Sequence, residues 1–250
     1  MKYFSILILF FLFLLSCSKD YYNTEEPKYN YFPLEVGKYR IYEVEYTLYN
    51  DFTGAVTKTN YYVKDLIESK YTDLSNKDIY RIERYIGTDS TLSNWQIEKV
   101  YNLQTSNQFA FTIEENQKFM SLAFPLYLNK TWDGLSFVRK DTTISIPGGN
   151  IDVYKSWSLF QVNQFSQNET YGTVLVDSTI WIQRADNNNL IERRYSVEKY
   201  GKNIGLVEKT DTILDTQCNG NLINCINLNW MQKAEKGYIL HMRLIDSNFL

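Results

Sequence analysis

The chain has 250 residues, 26 basic and 29 acidic side chains, a formal net charge of −3 and one histidine. Nucleic-acid binding needs clustered Lys and Arg to displace counterions, and this mildly acidic chain has no basic stripe, so we expect no nucleic-acid partner. Aromatic residues make up 16% of the chain, with 21 tyrosines, a composition that suits half-buried β-sheet surfaces.

The N-terminus reads as an export signal. Lys2 precedes an apolar run from Phe4 to Leu15, which has the length of a signal-peptide core. It is shorter than the ~20 residues of a membrane-spanning helix. The stretch Leu-Leu-Ser-Cys that ends at Cys17 resembles the lipobox of bacterial lipoproteins. That resemblance implies removal of residues 1–16 and acylation of the Cys17 thiol and of its new amino group. The alternative is a plain secretory signal that ends near a cysteine.

Several acyl chains on one residue anchor a protein firmly, where a single chain is marginal, so we expect a membrane partner through Cys17. Residues 17–30 form a polar tether with Asp20, Glu25 and Glu26. This tether resembles that of Bacteroidota-type lipoproteins, in which Lys and then acidic residues accompany display on the cell surface. In this chain a single acidic residue, Asp20, follows the lysine, and two tyrosines come next. The alternative is that the stretch is polar only because any tether must be polar to stay solvated. We therefore expect outer-membrane anchoring, on the periplasmic face or at the cell surface.

Residues 31–250 alternate between apolar and polar positions with a period of two, which predicts strands rather than helices. In residues 39–49, Tyr42 and Val44 share one face while Glu43 and Glu45 share the other. Two hairpins are predicted, one turning at 147–148 and one at 186–189 between strands 174–184 and 190–200. Further strands are expected at 60–67, 78–86, 95–103, 108–113, 204–214 and 237–245. The fold class is therefore all-β and mainly antiparallel, a meander that forms a curved sheet, a partly open barrel or a sandwich.

Two nine-residue stretches, 32–40 and 124–132, repeat Phe-Pro-Leu, a turn residue, a lysine and a nearby aromatic. Pro enforces an extended entry, and Gly37 or Asn129 permits a left-handed turn into a strand. We predict one β-rich domain over 31–250 with two similar halves, about 31–123 and 124–250. Coincidence of a short match is the alternative.

These lead-ins, together with the late stretch 199–209, resemble a layout of uncharacterised Bacteroidota lipoproteins. That family opens with an aromatic-Pro-Leu-x-x-Gly lead-in and ends on a Tyr…Gly-x-Val strand. The likeness implies an extracytoplasmic β-domain and carries over no catalytic residue. This chain has Tyr39 and Arg40 where the family commonly has Trp, a departure expected to affect packing alone.

Cys218 and Cys225 bracket a turn-forming stretch. In an exported chain such a pair most simply forms a disulfide. Two free thiols are the alternative, and a zinc site would need more Cys or His ligands than the sequence offers. No metal or cofactor is expected.

Residues for catalysis are sparse. His241 is the single histidine, so any triad would have to include it, and it reads as a half-exposed strand residue. Glu43 and Glu45 would stand about 7 Å apart on one strand face, a spacing that inverting glycosidases use, but solvent-facing strands show the same alternation. We therefore assign no catalytic residue.

Trp181 is the best candidate for an exposed, sugar-stacking ring, because it lies on the strand face opposite the one that carries the apolar residues. Core or edge packing is the alternative reading of its ring.

Four Asp-Ser/Thr motifs resemble the O-glycosylation triplets of exported Bacteroidota proteins and mark Ser90, Thr142, Ser178 and Thr212. Asp-Thr pairs also suit turns and strand edges.

The sequence thus predicts a lipid-anchored envelope protein whose β-domain binds or scaffolds a partner without catalysis, the partner being a glycan or an envelope protein. The alternatives are a glycan-binding surface lipoprotein that uses exposed aromatic rings and, less favoured, a carboxylate-dependent glycoside hydrolase.

Overall fold

A computed structural model of the chain describes residues 28–89, 93–218 and 222–249, with the backbone alone for 222–224. The described residues form a 3-10 turn at Tyr29–Tyr31, fourteen strands and two short helices. The strands are β1 (Tyr39–Tyr49), β2 (Val56–Thr72), β3 (Asp78–Gly87), β4 (Gln96–Thr105), β5 (Phe109–Glu114), β6 (Gln117–Ala123), β7 (Thr131–Trp132), β8 (Thr143–Ile146), β9 (Gly149–Asp152), β10 (Phe160–Tyr171), β11 (Val174–Asn188), β12 (Glu192–Gly201), β13 (Gly205–Asp215) and β14 (Lys236–Ser247). The helices are α1 (Leu222–Asn227) and α2 (Trp230–Lys233).

Twelve strands form one antiparallel sheet in the order β6-β5-β4-β3-β2-β1-β14-β13-β12-β11-β10-β7. Strands β8 and β9 pair separately as a hairpin. The large sheet is a meander except at two places. Strand β14 lies between β1 and β13, and β7 pairs with β10 rather than with a strand next to it in sequence. The twist of so many strands curls the sheet until its two edges meet. The predicted all-β fold is confirmed, in the form of a nearly closed barrel with one seam.

The seam between β6 and β7 is held by contacts across the two edges. The Met120 amide donates to the Gly134 carbonyl at 2.9 Å, and the Trp132 indole N–H donates to the Met120 carbonyl at 2.8 Å. Lys118 and Phe137 add an antiparallel bridge. These contacts satisfy backbone groups that an open sheet edge would leave exposed.

Two groups of buried side chains form the core. The larger group draws on most strands of the sheet, and its fully buried members include Ile67, Ile82, Leu122 and Phe160. The smaller group packs where β14 joins β1 and β13, and it includes Tyr42, Val44, Val207 and Leu244. Alternate residues of the strands supply both groups, as period-two patterning requires. Among the described residues, neither helix is long and apolar enough to cross a membrane.

Both predicted lead-ins adopt the expected left-handed turn. Gly37 has a φ of +86° just before β1, and Asn129 has a φ of +65° just before β7. The proposed boundary near residue 123 coincides with the end of β6. The division into two similar halves stays a prediction.

Candidate functional site

The interior of the barrel is lined by charged and tyrosine side chains as well as apolar ones. They come from alternate positions of neighbouring strands, so partners often lie directly across the sheet from each other. The charged residues that line the interior are Arg40, Asp65, Arg84, Glu114, Arg184, Glu198, Lys209 and Asp211. A buried charge is costly unless it is paired and hydrogen-bonded, so the arrangement of these groups decides what the interior can bind.

Asp65 and Arg84 form a two-pronged ion pair. They are register partners on β2 and β3, and Arg84 Nε and Nη2 donate to the two carboxylate oxygens of Asp65, both at 2.7 Å. Burial opposes the charge of Arg84, but Asp65 outweighs burial, and the pKa of Arg84 is raised well above its usual value. Burial raises the pKa of Tyr101, over whose ring the guanidinium of Arg84 lies at 5.3 Å. Arg84 therefore keeps its positive charge inside the barrel.

Glu198 is the centre of a second network. Arg184 Nη1 donates to one of its carboxylate oxygens, and the Tyr200 hydroxyl donates to the other at 2.7 Å. Lys209 lies opposite Glu198 in register and 3.4 Å from the carboxylate of Asp211. Glu198 and Asp211 therefore each have a cation beside them.

Glu114 is a half-buried carboxylate on the walls of both cavities described below. Its partner is Lys99, which donates to it from β4. Burial raises the pKa of Glu114, but the charge of Lys99 outweighs burial, and the net pKa is lowered. Each carboxylate in the interior thus has a cationic neighbour.

Arg40 is buried, and no carboxylate in the described ranges forms an ion pair with it. Its Nε donates to the Ile204 carbonyl at 2.5 Å, and its guanidinium lies 4.3 Å from the ring centre of Phe249. Gly205, with a φ of +93°, makes room for it, since a Cβ there would stand 2.6 Å from Arg40 Nη2. The expectation that Arg40 affects packing alone was therefore incomplete: it brings a positive charge to the interior wall.

Two adjoining cavities, each of about 100 Å³, lie inside the barrel. The first cavity is bounded by Arg40, the Asp65–Arg84 pair and Met242. The second cavity is bounded by aromatic rings and by the Glu198 network. The walls of both cavities include Thr112, Glu114, Glu198 and Lys209. A polar cavity of this size suits ordered water or a small polar molecule.

Aromatic rings form one wall of the second cavity. Trp157 and Tyr154 meet edge to face with ring centres 5.1 Å apart, and Tyr154 lies 5.6 Å from Phe119. The guanidinium of Arg184 sits 5.1 Å from the Trp157 ring centre. Burial raises the pKa of Tyr154, so its hydroxyl stays protonated and can donate or accept.

The sequence-predicted residues lie away from these cavities. Cys17 and Ser90 fall outside the described residues. Ser178 is half-buried and shares a hydrogen bond of 2.7 Å with the Tyr31 hydroxyl, and Thr142 and Thr212 are also half-buried. Their glycosylation stays a prediction. Cys218 and Cys225 form the predicted disulfide, with Cα atoms 5.6 Å apart.

Trp181 is half-buried on the outer side of β11, with the Lys199 ammonium 3.9 Å from its ring centre. One ring face is thus occupied, and a sugar-binding role for it stays a prediction. Glu43 and Glu45 are exposed on β1. His241 is half-exposed on β14, with its Nε2 3.7 Å from Glu208 Oε1. The structure brings none of these together with the interior network.

Sequence reasoning missed the interior charges. Period-two alternation separates the two faces of a strand, but it does not say which face is internal when both carry polar residues. A usable signal was present, because Asp65, Arg84 and Glu198 each share a strand face with buried aromatic or aliphatic residues such as Val63 and Tyr200. Within the described ranges, no group of three or more Asp, Glu, Cys or His side chains is placed to hold a metal ion.

Comparison with known proteins found little. No protein-family model matches the chain, and no curated protein matches it. A crystal structure of a candidate exported protein with a YmcC-like fold, from Bacteroides fragilis, aligns with 87% of this chain and 98% of its own, at a TM-score of 0.38 and 9% identity. A likeness this distant assigns neither a family nor an activity to the chain.

Proposed function

We propose that this chain is a non-enzymatic, lipid-anchored envelope protein whose barrel binds a small polar molecule in its interior. The observation that carries the binding role is the pair of adjoining cavities walled by paired charges and tyrosines. Ligand sites are concave and combine apolar walls with a few placed polar groups. A barrel that only scaffolds a partner has no need of buried charges, which are expensive to desolvate.

The anchoring role rests on the sequence. Lys2, the apolar run that follows it and the lipobox-like ending at Cys17 are in the order that lipoprotein export requires. We propose attachment to the outer membrane, on either its periplasmic face or the cell surface.

The state of the carboxylates supports binding rather than hydrolysis. A general acid or base works best with a pKa near the working pH, and glycoside hydrolysis needs two carboxyl groups facing one cleft. Asp65 and Glu198 are each held in a hydrogen-bonded ion pair with an arginine. Burial raises the pKa of Glu114, but the charge of Lys99 outweighs burial and the net pKa is lowered, away from the range of a general acid. Glu43 and Glu45 are exposed on the outer side of β1.

The anchor is tested by the intact mass of protein extracted from membranes. We expect a chain that begins at Cys17 and carries the added mass of acyl chains. The Cys17→Ala variant should accumulate uncut and unacylated. A wild-type chain that begins at another residue, or that carries no acyl mass, would refute the anchor.

The binding role is tested by NMR on detergent-extracted protein with labelled methionine methyl groups and tryptophan indoles. Met242 reports on the first cavity and Trp157 on the second, while Met231, at 62% exposure, is the surface control. Ethylene glycol, glycerol, acetamide, acetate and glucose serve as probes. We expect at least one probe to move the signal of Met242 or Trp157 and to leave Met231 unchanged. If no probe moves either interior signal, the binding role is wrong.

A further inference from the structure

The loop between β6 and β7 presents apolar side chains to solvent at one end of the barrel. Leu126 is fully buried, whereas Tyr127 and Leu128 are 47% and 53% exposed. The Asn129 amide donates to the Val162 carbonyl at 2.8 Å, which pins the loop to β10. The two exposed side chains are therefore held outward by a fixed backbone.

Two lysines lie beside these side chains. Lys130 Nζ donates to the Pro125 carbonyl at 2.8 Å and lies 5.5 Å from the ring centre of Tyr127. Lys28 Nζ donates to the Leu126 carbonyl, also at 2.8 Å. Burial lowers the pKa of Lys130, so contact with an anion would stabilise its charged form. Tyrosine and leucine beside lysine are typical of surfaces that enter the lipid headgroup region. We call the following residues the loop patch: Tyr127, Leu128, Lys28 and Lys130.

The chain leads from the proposed lipid anchor directly to the loop patch. Lys28 is the first residue that the structure describes. Tyr29 follows it and packs edge to face on Phe124, with ring centres 4.9 Å apart. Ten residues separate Cys17 from Lys28, so the anchor lies within about 40 Å of the loop patch whatever conformation those residues adopt.

The opposite end of the barrel is much harder to bring to the membrane. Strand β1 starts beside the lead-in at Tyr39 and ends at Tyr49, and its ten steps of ~3.3 Å place the two ends about 33 Å apart. Phe52 follows that far end and is 83% exposed. For Phe52 to reach lipid, the residues between Cys17 and Lys28 would have to run almost fully extended along the barrel. The anchor therefore favours the end that carries the loop patch.

Covalent attachment also makes a small patch sufficient. Two apolar side chains and two lysines would bind lipid weakly in a protein that is free to diffuse away. Once the chain is anchored, the patch meets the membrane as an intramolecular partner, and a short tether raises its effective concentration at the surface.

We infer that this end of the barrel docks on the membrane surface, with the apolar side chains of the loop patch among the lipid headgroups and its two lysines against anionic headgroups. This inference rests on the proposed lipid anchor and adds which surface of the barrel meets lipid.

The test uses the full acylated protein in vesicles of phosphatidylethanolamine and phosphatidylglycerol that contain a lipid with a nitroxide headgroup. Leu128→Cys is labelled with the fluorophore NBD, which a nitroxide quenches on close approach. Under the proposed function the Cys17 thiol is acylated, and Cys218 and Cys225 form a disulfide, so the label reacts with the new thiol. We expect strong quenching of this label and far weaker quenching of the same label on Phe52→Cys, at the opposite end.

The role of the lysines is tested in the labelled Leu128→Cys protein. Adding Lys130→Gln should lower the ratio of docked to undocked protein by about 5-fold on these vesicles, the effect of one lysine near an anionic surface. On vesicles of phosphatidylcholine, which carry no net charge, it should have no effect. Lys58→Gln is the matched control, since Lys58 is exposed and lies on β2 near the loop that carries Phe52.

The inference is overturned if the label on Leu128→Cys is quenched no more than the label on Phe52→Cys, or if Lys130→Gln and Lys58→Gln have equal effects. Blue-shifted emission without quenching would assign the patch to the tether or to a second copy of the chain, which overturns the inference too. Tyr127→Cys repeats the measurement if Leu128→Cys does not fold. If the intact mass includes acyl chains but the label stays unquenched, docking fails and the anchor stands. If the mass includes none, both fail.

Discussion

The ion pair between Asp65 and Arg84 gives a direct measure of how strongly the interior charges depend on one another. Asp65→Asn keeps the shape of the side chain and removes its charge. The two side chains are only 2% and 16% exposed, and both donors of Arg84 lose a carboxylate oxygen at 2.7 Å. The guanidinium stays in the barrel, because its pKa is raised far above its usual value and it cannot lose its proton.

Removing one partner of a buried ion pair costs about 3–5 kcal/mol, because the other charge stays desolvated and unpaired. Domains of this kind are stable by only about 5–15 kcal/mol. Asp65→Asn should therefore remove about a fifth or more of the free energy of unfolding. A double variant, Asp65→Leu with Arg84→Met, should recover part of the loss because it leaves no charge behind.

The assay is equilibrium unfolding in urea. The midpoints of the variants are compared, provided that their m-values agree with that of the wild type. Asp78→Asn is the matched control, since its partner Lys70 lies at the same distance of 2.7 Å with side chains 42% and 51% exposed. Exposed pairs contribute little, so this control should barely change the midpoint. If Asp65→Asn is no more destabilising than Asp78→Asn, the reasoning about the buried interior is wrong.

Gly134→Ala should destabilise the protein by about 1–3 kcal/mol, because a Cβ would stand 2.1 Å from the buried ring of Phe160. The control is Gly87→Ala, whose Cβ would lie 3.2 Å from its nearest neighbour. If thermal unfolding shows no greater loss of stability for Gly134→Ala than for this control, the prediction is wrong. The carboxylate of Glu208, 3.7 Å from His241 Nε2, raises the pKa of the imidazole above its usual value. The stabilisation that this ion pair adds is therefore complete below about pH 6.5, the usual pKa of histidine, and is lost as pH rises through the folded-state pKa. The excess stability of wild type over His241→Gln should therefore be greater at pH 5.5 than at pH 8.5, and the opposite trend would rule out this pairing.

The strands with one solvated face were predictable from the sequence. The alternating stretch 39–49 is observed as the strand Tyr39–Tyr49, in which Tyr42 and Val44 are buried while Glu43 and Glu45 are exposed. The strand at Gln117–Ala123 was missed, since it lies at the seam and its last five residues are all buried, which erases the period of two. The strand at Phe160–Tyr171 was missed for the opposite reason: its many polar residues have low β-propensity.

The candidate site was less predictable than the fold. Charged residues such as Arg84 and Glu198 look the same in a sequence whether their strand face points to solvent or to the inside of a barrel. Only closure of the sheet, which brings β3 and β12 to opposite sides of one cavity, turns them inward. That closure depends on contacts between distant parts of the chain, and local patterns do not encode them.

The position of β14 has a consequence for biogenesis. Its residues pair with β1 along the whole strand, and the Tyr39 amide donates to the side chain of Asn248, 209 residues away. A chain synthesised from its N-terminus therefore leaves the edges of β1 and β13 that flank β14 unpaired until Lys236–Ser247 have been made. Such edges invite association with other chains, and long-range pairing is slow, so the protein is most prone to aggregate before β14 pairs with its two neighbours.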